Sequence, residues 1–162
     1  MEDWSHDHPT IKGFANHWET DKPLPEEKIL KLYEQKVFNT GMMVCQQLCF
    51  GQMDMELHGN YDPEEAGEKG DGPILSDVQK EIASKYVPHA MPLDTDQFLC
   101  AFSHIFAGGY SVGYYSYKWA EVMSADAFGA FEDVNIDNEE EVKNVGKTFG
   151  EKFLRLGGGT HQ

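Results

Sequence analysis

The residues best suited to chemistry lie between Phe102 and Phe131. Tyr110, Tyr114, Tyr117 and Glu121 stand at i, i+4, i+7 and i+11. On a helix that starts after the pair Gly108-Gly109, this spacing puts the phenols and the carboxylate on one narrow stripe. A phenol is a rigid, neutral hydrogen-bond donor, and a row of them suits a peptide backbone or a developing oxyanion. His104 stands just before the glycines, at the end of a preceding helix, and the glycines let the chain turn sharply between the two. The same stripe also fits an amphipathic core helix whose tyrosines find backbone partners, and spacing alone leaves both readings open. Tyr115, Trp119 and Val122 fall on the other side, so the helix is predicted to be largely enclosed.

Metal and thiol chemistry has less support. Of the histidines His6, His8, His17, His58, His89, His104 and His161, only His6 and His8 are close in sequence, and an H-x-H near a loop is a weak metal signal. Cys45 and Cys49 sit at i, i+4 on an apolar helix and read as packing; with Cys100 the count is odd and sparse, which fits a reducing compartment.

The elements that must position these residues are all helical. Asp7-His8-Pro9 is a helix start, with Ile11, Phe14, Ala15 and Trp18 on one face. Pro25 with Glu26 and Glu27 starts a second helix, its carboxylates at the positive end. Asn39 to His58 is a third, apolar on several sides through Met42, Cys45, Cys49 and Met53 and through Val44, Leu48 and Met55. It is therefore expected at the centre of the fold. Residues 59–73 are rich in Gly, Asp, Glu and Pro and are predicted to be an exposed acidic loop within one domain. Ser76 caps a short helix to Tyr86, Val87 to Asp94 is extended, and Asp94 or Thr95 starts the helix that carries Phe98, Phe102 and His104. Asp137 caps a final helix whose buried face is Val142, Val145, Phe149, Phe153 and Leu156, stopped by Gly157-Gly158-Gly159. No β pattern is found beyond short apolar runs, and no convincing internal repeat, so the expected fold class is all-α.

The 162 residues fit one domain, with 40% hydrophobic and 12% aromatic residues. A net charge of −15 argues against nucleic acid and against anionic membrane surfaces as partners. No apolar run reaches the roughly 18 residues of a membrane span, and the N-terminus has no signal-like apolar region.

The string F-S-H-I-F-A-G-G-Y-S-V-G-Y-Y-S-Y-K-W-A-E-V closely resembles the C-terminal catalytic region of the M3 family of zinc oligopeptidases, which includes oligopeptidase A, thimet oligopeptidase and dipeptidyl carboxypeptidase. The opening Met1-Glu2-Asp3-Trp4 resembles the M-E-N-W segment of that family, and the likeness runs to about Gly159. It implies the helical C-terminal portion of a two-lobed, channel-forming peptidase, with residues 1–162 a partial catalytic domain truncated at both ends. In the family, zinc is held by two His of an H-E-x-x-H helix and a Glu farther along, and the motif's own Glu activates the metal-bound water. This sequence has no H-E-x-x-H, and Glu2 is not the family's metal ligand, which would precede Met1. No metal ligand is therefore expected in this chain, and zinc is a cofactor of the full-length enzyme only.

Carried over by position, Tyr117 resembles the phenol that donates to the tetrahedral oxyanion, and His104 the histidine that helps bind substrate and stabilise that state. Tyr110 and Tyr114, with Gly108 and Gly109, match the substrate-binding segment. The resemblance implies hydrolysis of short peptides together with the missing upstream part of the catalytic domain, in the cytoplasm or an organelle. A different class of function is a non-catalytic helical module, derived from the family, that binds peptides or a partner and hydrolyses nothing.

Overall fold

Asp7 accepts the Thr10 amide at 3.0 Å and so caps helix α1 (His8–Phe14), with Pro9 in its first turn. The computed structural model describes residues 2–66 and 74–159, and the remaining helices are α2 (Glu26–Val37), α3 (Thr40–Gly59), α4 (Leu75–Tyr86), α5 (Phe98–Ala101), α6 (Ser116–Glu132) and α7 (Glu139–Phe149). Single 3-10 turns lie at Glu2–Ser5, Pro88–Ala90 and Ser103–Ile105, and a π-helical turn at Gly150–Leu154 continues α7. Among the described residues there is no strand beyond an isolated bridge between Asn16 and Pro23, as the all-α expectation requires. The chain divides into two units: residues 1–33 with 119–162, and residues 34–118.

In the unit of residues 34–118, the second half of α3 packs on α4. Cys49 and Met53 meet Val78, Ile82 and Ala83, with Val87 and Leu99 closing the cluster. Each of the larger side chains, Met53, Val78, Ile82, Val87 and Leu99, contributes about 1.5–3 kcal/mol when removed from water. A neighbouring cluster of Phe102, Ile105 and Tyr114 joins Phe50 and Phe98. Phe50 stacks on Phe98 at 5.0 Å and Tyr114 meets Phe102 edge-on at 5.2 Å, within the range aromatic pairs prefer. Lys80 and Asp94 pair at 2.5 Å and tie α4 to the segment that leads into α5.

In the other unit, Ile11, Ile29 and Phe131 are buried, and Trp4 lies edge-on to Phe128 and Phe131 at 5.3 and 5.2 Å. Glu26 pairs with Lys12 at 2.8 Å through one carboxylate oxygen, and its other oxygen lies 2.5 Å from His8 Nε2. Phe149 stacks on Phe153 across the π-helical turn at 5.3 Å.

Several expectations need correction. The first helix ends at Phe14, so Trp18 lies beyond it and is 87% exposed; only Ile11 of the expected face is buried. Helix α3 is not central along its length, because Met42, Met43, Leu48 and Met55 are exposed and only its second half meets α4. Helix α4 starts at Leu75 with no side-chain cap, rather than at a Ser76 cap, and Pro88–Ala90 makes a 3-10 turn in the stretch expected to be extended. The helix expected from Asp94 to His104 is instead the short α5, whose first amide Phe98 N donates to Asp96 Oδ1 at 3.0 Å, followed by a separate 3-10 turn. The cap of α7 is Asn138, which accepts from the Glu140 amide at 3.2 Å, and the face expected to be buried is half-buried, with Leu156 exposed. Of the acidic loop expected over 59–73, Gly59 closes α3, residues 62–65 are exposed, and residues 67–73 lie outside the described residues.

Candidate active site

The tyrosine segment is not one helix. Residues 111–115 form turns and α6 begins at Ser116. The cause is Val112, which has a left-handed backbone with φ +58°. A β-branched residue resists that conformation, by about 1–2 kcal/mol. It persists only where the surroundings over-determine it. The surroundings here are the carboxylate of Asp54, on α3 and 0% exposed. Val112 N donates to Asp54 Oδ1 and Tyr114 N to Asp54 Oδ2, both at 2.9 Å. His58 Nδ1 lies 3.0 Å from Asp54 Oδ1 and 2.9 Å from the Asp54 carbonyl oxygen. The remaining turn contacts are local: Tyr110 N donates to His104 O at 3.0 Å, Gly113 N to Tyr110 O at 2.8 Å, and Ser111 Oγ to Ile105 O at 2.6 Å.

Although the helix starts late, the four expected side chains come together. His104, on the 3-10 turn Ser103–Ile105, has its ring 6.3 Å from that of Tyr110, 6.0 Å from Tyr114 and 6.1 Å from Tyr117. Tyr117 lies 4.9 Å from Tyr110 and 5.2 Å from Tyr114. His104 is exposed, and Tyr110 and Tyr117 are 37% and 38% exposed, so three of the rings face outward. Tyr114 is 8% exposed; it belongs to the aromatic base beneath them, and its hydroxyl donates to Gln47 Oε1 at 3.0 Å.

Two of the phenols, Tyr114 and Tyr117, are shifted upward. A hydrogen bond with Tyr110 pushes the Tyr117 phenol above its ordinary range, helped by partial burial and by both neighbouring phenols. Burial pushes Tyr114 up, against the opposing effect of its bond to Gln47.

Gly108 and Gly109 join the histidine to the tyrosines. A Cβ on Gly108 would lie 2.8 Å from His104 Cα and 2.9 Å from His104 O, so only glycine fits that approach. Gly109 has φ +81°.

The expected division of the helix into two faces also changes. Tyr115, Trp119 and Val122 are all exposed, so the segment is not enclosed on that side. Tyr115 does not stand apart from the phenols: it lines, with Gln47, Gln52, Tyr114, Tyr117 and Lys118, one open cavity of about 250 Å³. A larger cavity of about 390 Å³ near Cys49, Phe50, Met53 and Leu93 includes none of the four rings and is mainly apolar. The smaller one adjoins the polar chemistry.

Sequence reasoning missed Gln47, Asp54 and His58. The signal was present: Gln47, Asp54 and His58 stand at i, i+7 and i+11 on one stripe of α3, a spacing shared with Tyr110, Tyr117 and Glu121. Among the described residues no three His, Cys, Asp or Glu come together in a way that could hold a metal ion, and no helix is long and apolar enough to cross a membrane.

The profile of peptidase family M3 matches residues 1–162. Over 161 residues the chain is 46% identical to the organellar oligopeptidase A, chloroplastic/mitochondrial, of Arabidopsis thaliana, covering 98% of this chain and 19% of that protein. It is 44% identical to the probable cytosolic oligopeptidase A of the same plant, over 98% of this chain and 22% of the relative. To oligopeptidase A of Escherichia coli (strain K12) it is 36% identical, again over 98% of this chain and 22% of the relative. The chain thus spans about a fifth of the length of these relatives.

Proposed function

Because this chain belongs to peptidase family M3, we propose that it is part of a metallo-oligopeptidase acting on short peptides, and that it supplies the wall that receives the peptide and its oxyanion. The observation that carries this reading is the convergence of His104, Tyr110 and Tyr117, three partly or fully exposed polar rings on a buried aromatic base. Tyr117 donates its hydroxyl hydrogen to the tetrahedral oxyanion, as a phenol that is neutral at physiological pH can. His104 donates to the same state or to the bound peptide. Tyr110 orients the peptide backbone through its exposed phenol, and Tyr114 contributes by fixing the ring against which Tyr117 rests. Gly108 and Gly109 set the backbone that the peptide passes.

No zinc ligand is assigned to this chain. The sequence has no H-E-x-x-H, and the described donors do not converge, so the donor set does not fit a zinc site. Zinc and the general base are assigned to sequence outside it. The proposed compartment is the cytoplasm, or an organelle as for the organellar relative.

The test is hydrolysis of a short quenched peptide by the longer protein in which this sequence occurs, with zinc measured in parallel. Stoichiometric zinc and chelator-sensitive turnover are expected. A protein that binds the peptide, holds no zinc and leaves the peptide intact would favour the second reading, a non-catalytic peptide- or partner-binding module.

A further inference from the structure

Asp54 has no part in the chemistry proposed above, yet its side chain is fully buried and uses both of its oxygens. Its partners are the alternate amides Val112 N and Tyr114 N, in a turn 58 and 60 residues away in sequence. A turn that passes through the left-handed region at Val112 cannot satisfy these amides by helical bonds of its own. A carboxylate offers two acceptors at a separation that suits amides at i and i+2, whereas an amide side chain offers one. The carboxylate is itself held by His58, one helical turn on, at Oδ1. The turn it grips has Tyr110 at its start, carries Tyr114, and leads into the first turn of α6, where Tyr117 stands.

We propose that Asp54 is a positioning residue for the phenol wall: its carboxylate clamps the 110–114 turn in the one conformation that brings Tyr110 and Tyr117 beside His104, and His58 steadies the clamp. The catalytic half of this statement rests on the peptidase reading; the structural half does not. The geometry gives the clamp a specific signature. Its work is to hold a left-handed Val112, so glycine at position 112, which takes φ > 0 without strain, should make the clamp partly dispensable.

The experiment uses the longer enzyme that carries this sequence, as Asp54→Asn, Val112→Gly and the double variant. It measures peptide hydrolysis and amide hydrogen exchange together. In Asp54→Asn, exchange at Val112 and Tyr114 should accelerate by roughly 10–100-fold, the factor set by losing a hydrogen bond to a charged group. Protection at Val78 and Ile82 in the α3–α4 core should stay as it was. The value of kcat should fall by about 10–100-fold, as when a supporting residue behind a site is lost, with KM changed far less. Adding Val112→Gly should restore much of kcat.

Unchanged exchange at the two amides, or equal acceleration throughout the core, overturns the clamp. So does the absence of any rescue by Val112→Gly. Should Asp54→Asn alone not fold, the double variant decides: a folded double variant supports the clamp, and one as unfolded as the single variant overturns it. Accelerated exchange at the two amides with kcat unchanged overturns the link between Asp54 and catalysis while the structural clamp stands; the phenol-wall reading is then decided separately, by Tyr117→Phe.

Discussion

The hydroxyl of Tyr114 donates to Oε1 of Gln47 at 3.0 Å, joining the turn before α6 to the middle of α3 across 67 residues of sequence. Its ring is buried between Phe50 and Phe102. Tyr114→Phe keeps the ring and removes that one bond. It should lower unfolding stability by about 0.5–1.5 kcal/mol, read as a shift in urea midpoint at constant slope. An unchanged midpoint would mean that the bond contributes nothing net.

Tyr117 should behave differently. Its phenol is partly exposed and packs mainly on other rings, so Tyr117→Phe should leave stability almost unchanged. In the longer enzyme kcat should fall by roughly 10²–10³, the usual effect of removing one oxyanion donor, with KM little affected. Because Tyr115 lines the same cavity, it is a poor control; the exposed Tyr33 on α2 is a better one, and Tyr33→Phe should keep wild-type kcat. Zinc content should be the same in every variant. Near wild-type turnover in Tyr117→Phe would remove it from the oxyanion role.

The two raised phenols give a pH signature. A group whose folded pKa lies above its unfolded value stabilises the fold fully below the unfolded value, and that stabilisation is lost as pH rises through the folded one. Tyr114 and Tyr117 should therefore ionise above the range of a free phenol, and stability should decline across that alkaline window. Phenolate absorbance followed against pH should lose one late-titrating component in Tyr114→Phe and one in Tyr117→Phe.

The 162-residue chain alone should hydrolyse no short peptide, with or without added zinc, because it has no H-E-x-x-H to activate water. It should also bind hydrophobic dye and self-associate, since Met42, Met43, Leu48 and Met55 of α3 and Tyr115 are exposed. Chelator-sensitive turnover by the pure chain would contradict the first expectation, and a clean monomer without dye binding the second.

Helix existence was legible because it depends on local signals: Asp7 with Pro9, Pro25 with two glutamates, and the long apolar run from Thr40 all precede or form helices as read. Where two local signals compete, the reading slipped. Asp137 and Asn138 are adjacent and both suited to capping, and the backbone uses the second. The late start of α6 was not legible, because nothing near Val112 forbids a helix there; the deciding group is a carboxylate about 60 residues upstream. The rings of His104 and the tyrosines lie close together although the helix expected to carry the tyrosines starts late. Tyr114 and Tyr117 remain one turn apart, and the Asp54-held turn returns Tyr110 to the same side.

Gly108→Ala should disrupt the link between histidine and phenols more than Ala at an open helical glycine such as Gly51, because the Cβ at 108 meets backbone and the one at 51 meets nothing. Thermal melting of the two variants side by side checks this, with Gly108→Ala expected to melt lower.

That contact acts as a gauge. The space between His104 and Tyr110 is set where Gly108 touches the His104 main chain, and Gly108 N donates to Ser103 O at 2.7 Å within the same loop. Main chain resting on main chain has no rotamer to adjust. Exchanging side chains on either side can alter what the histidine and the phenols are, but hardly how far apart they stand. That interval changes in whole residues, by lengthening or shortening the loop, so an enzyme built on it would retune its grip on a peptide in steps rather than gradually.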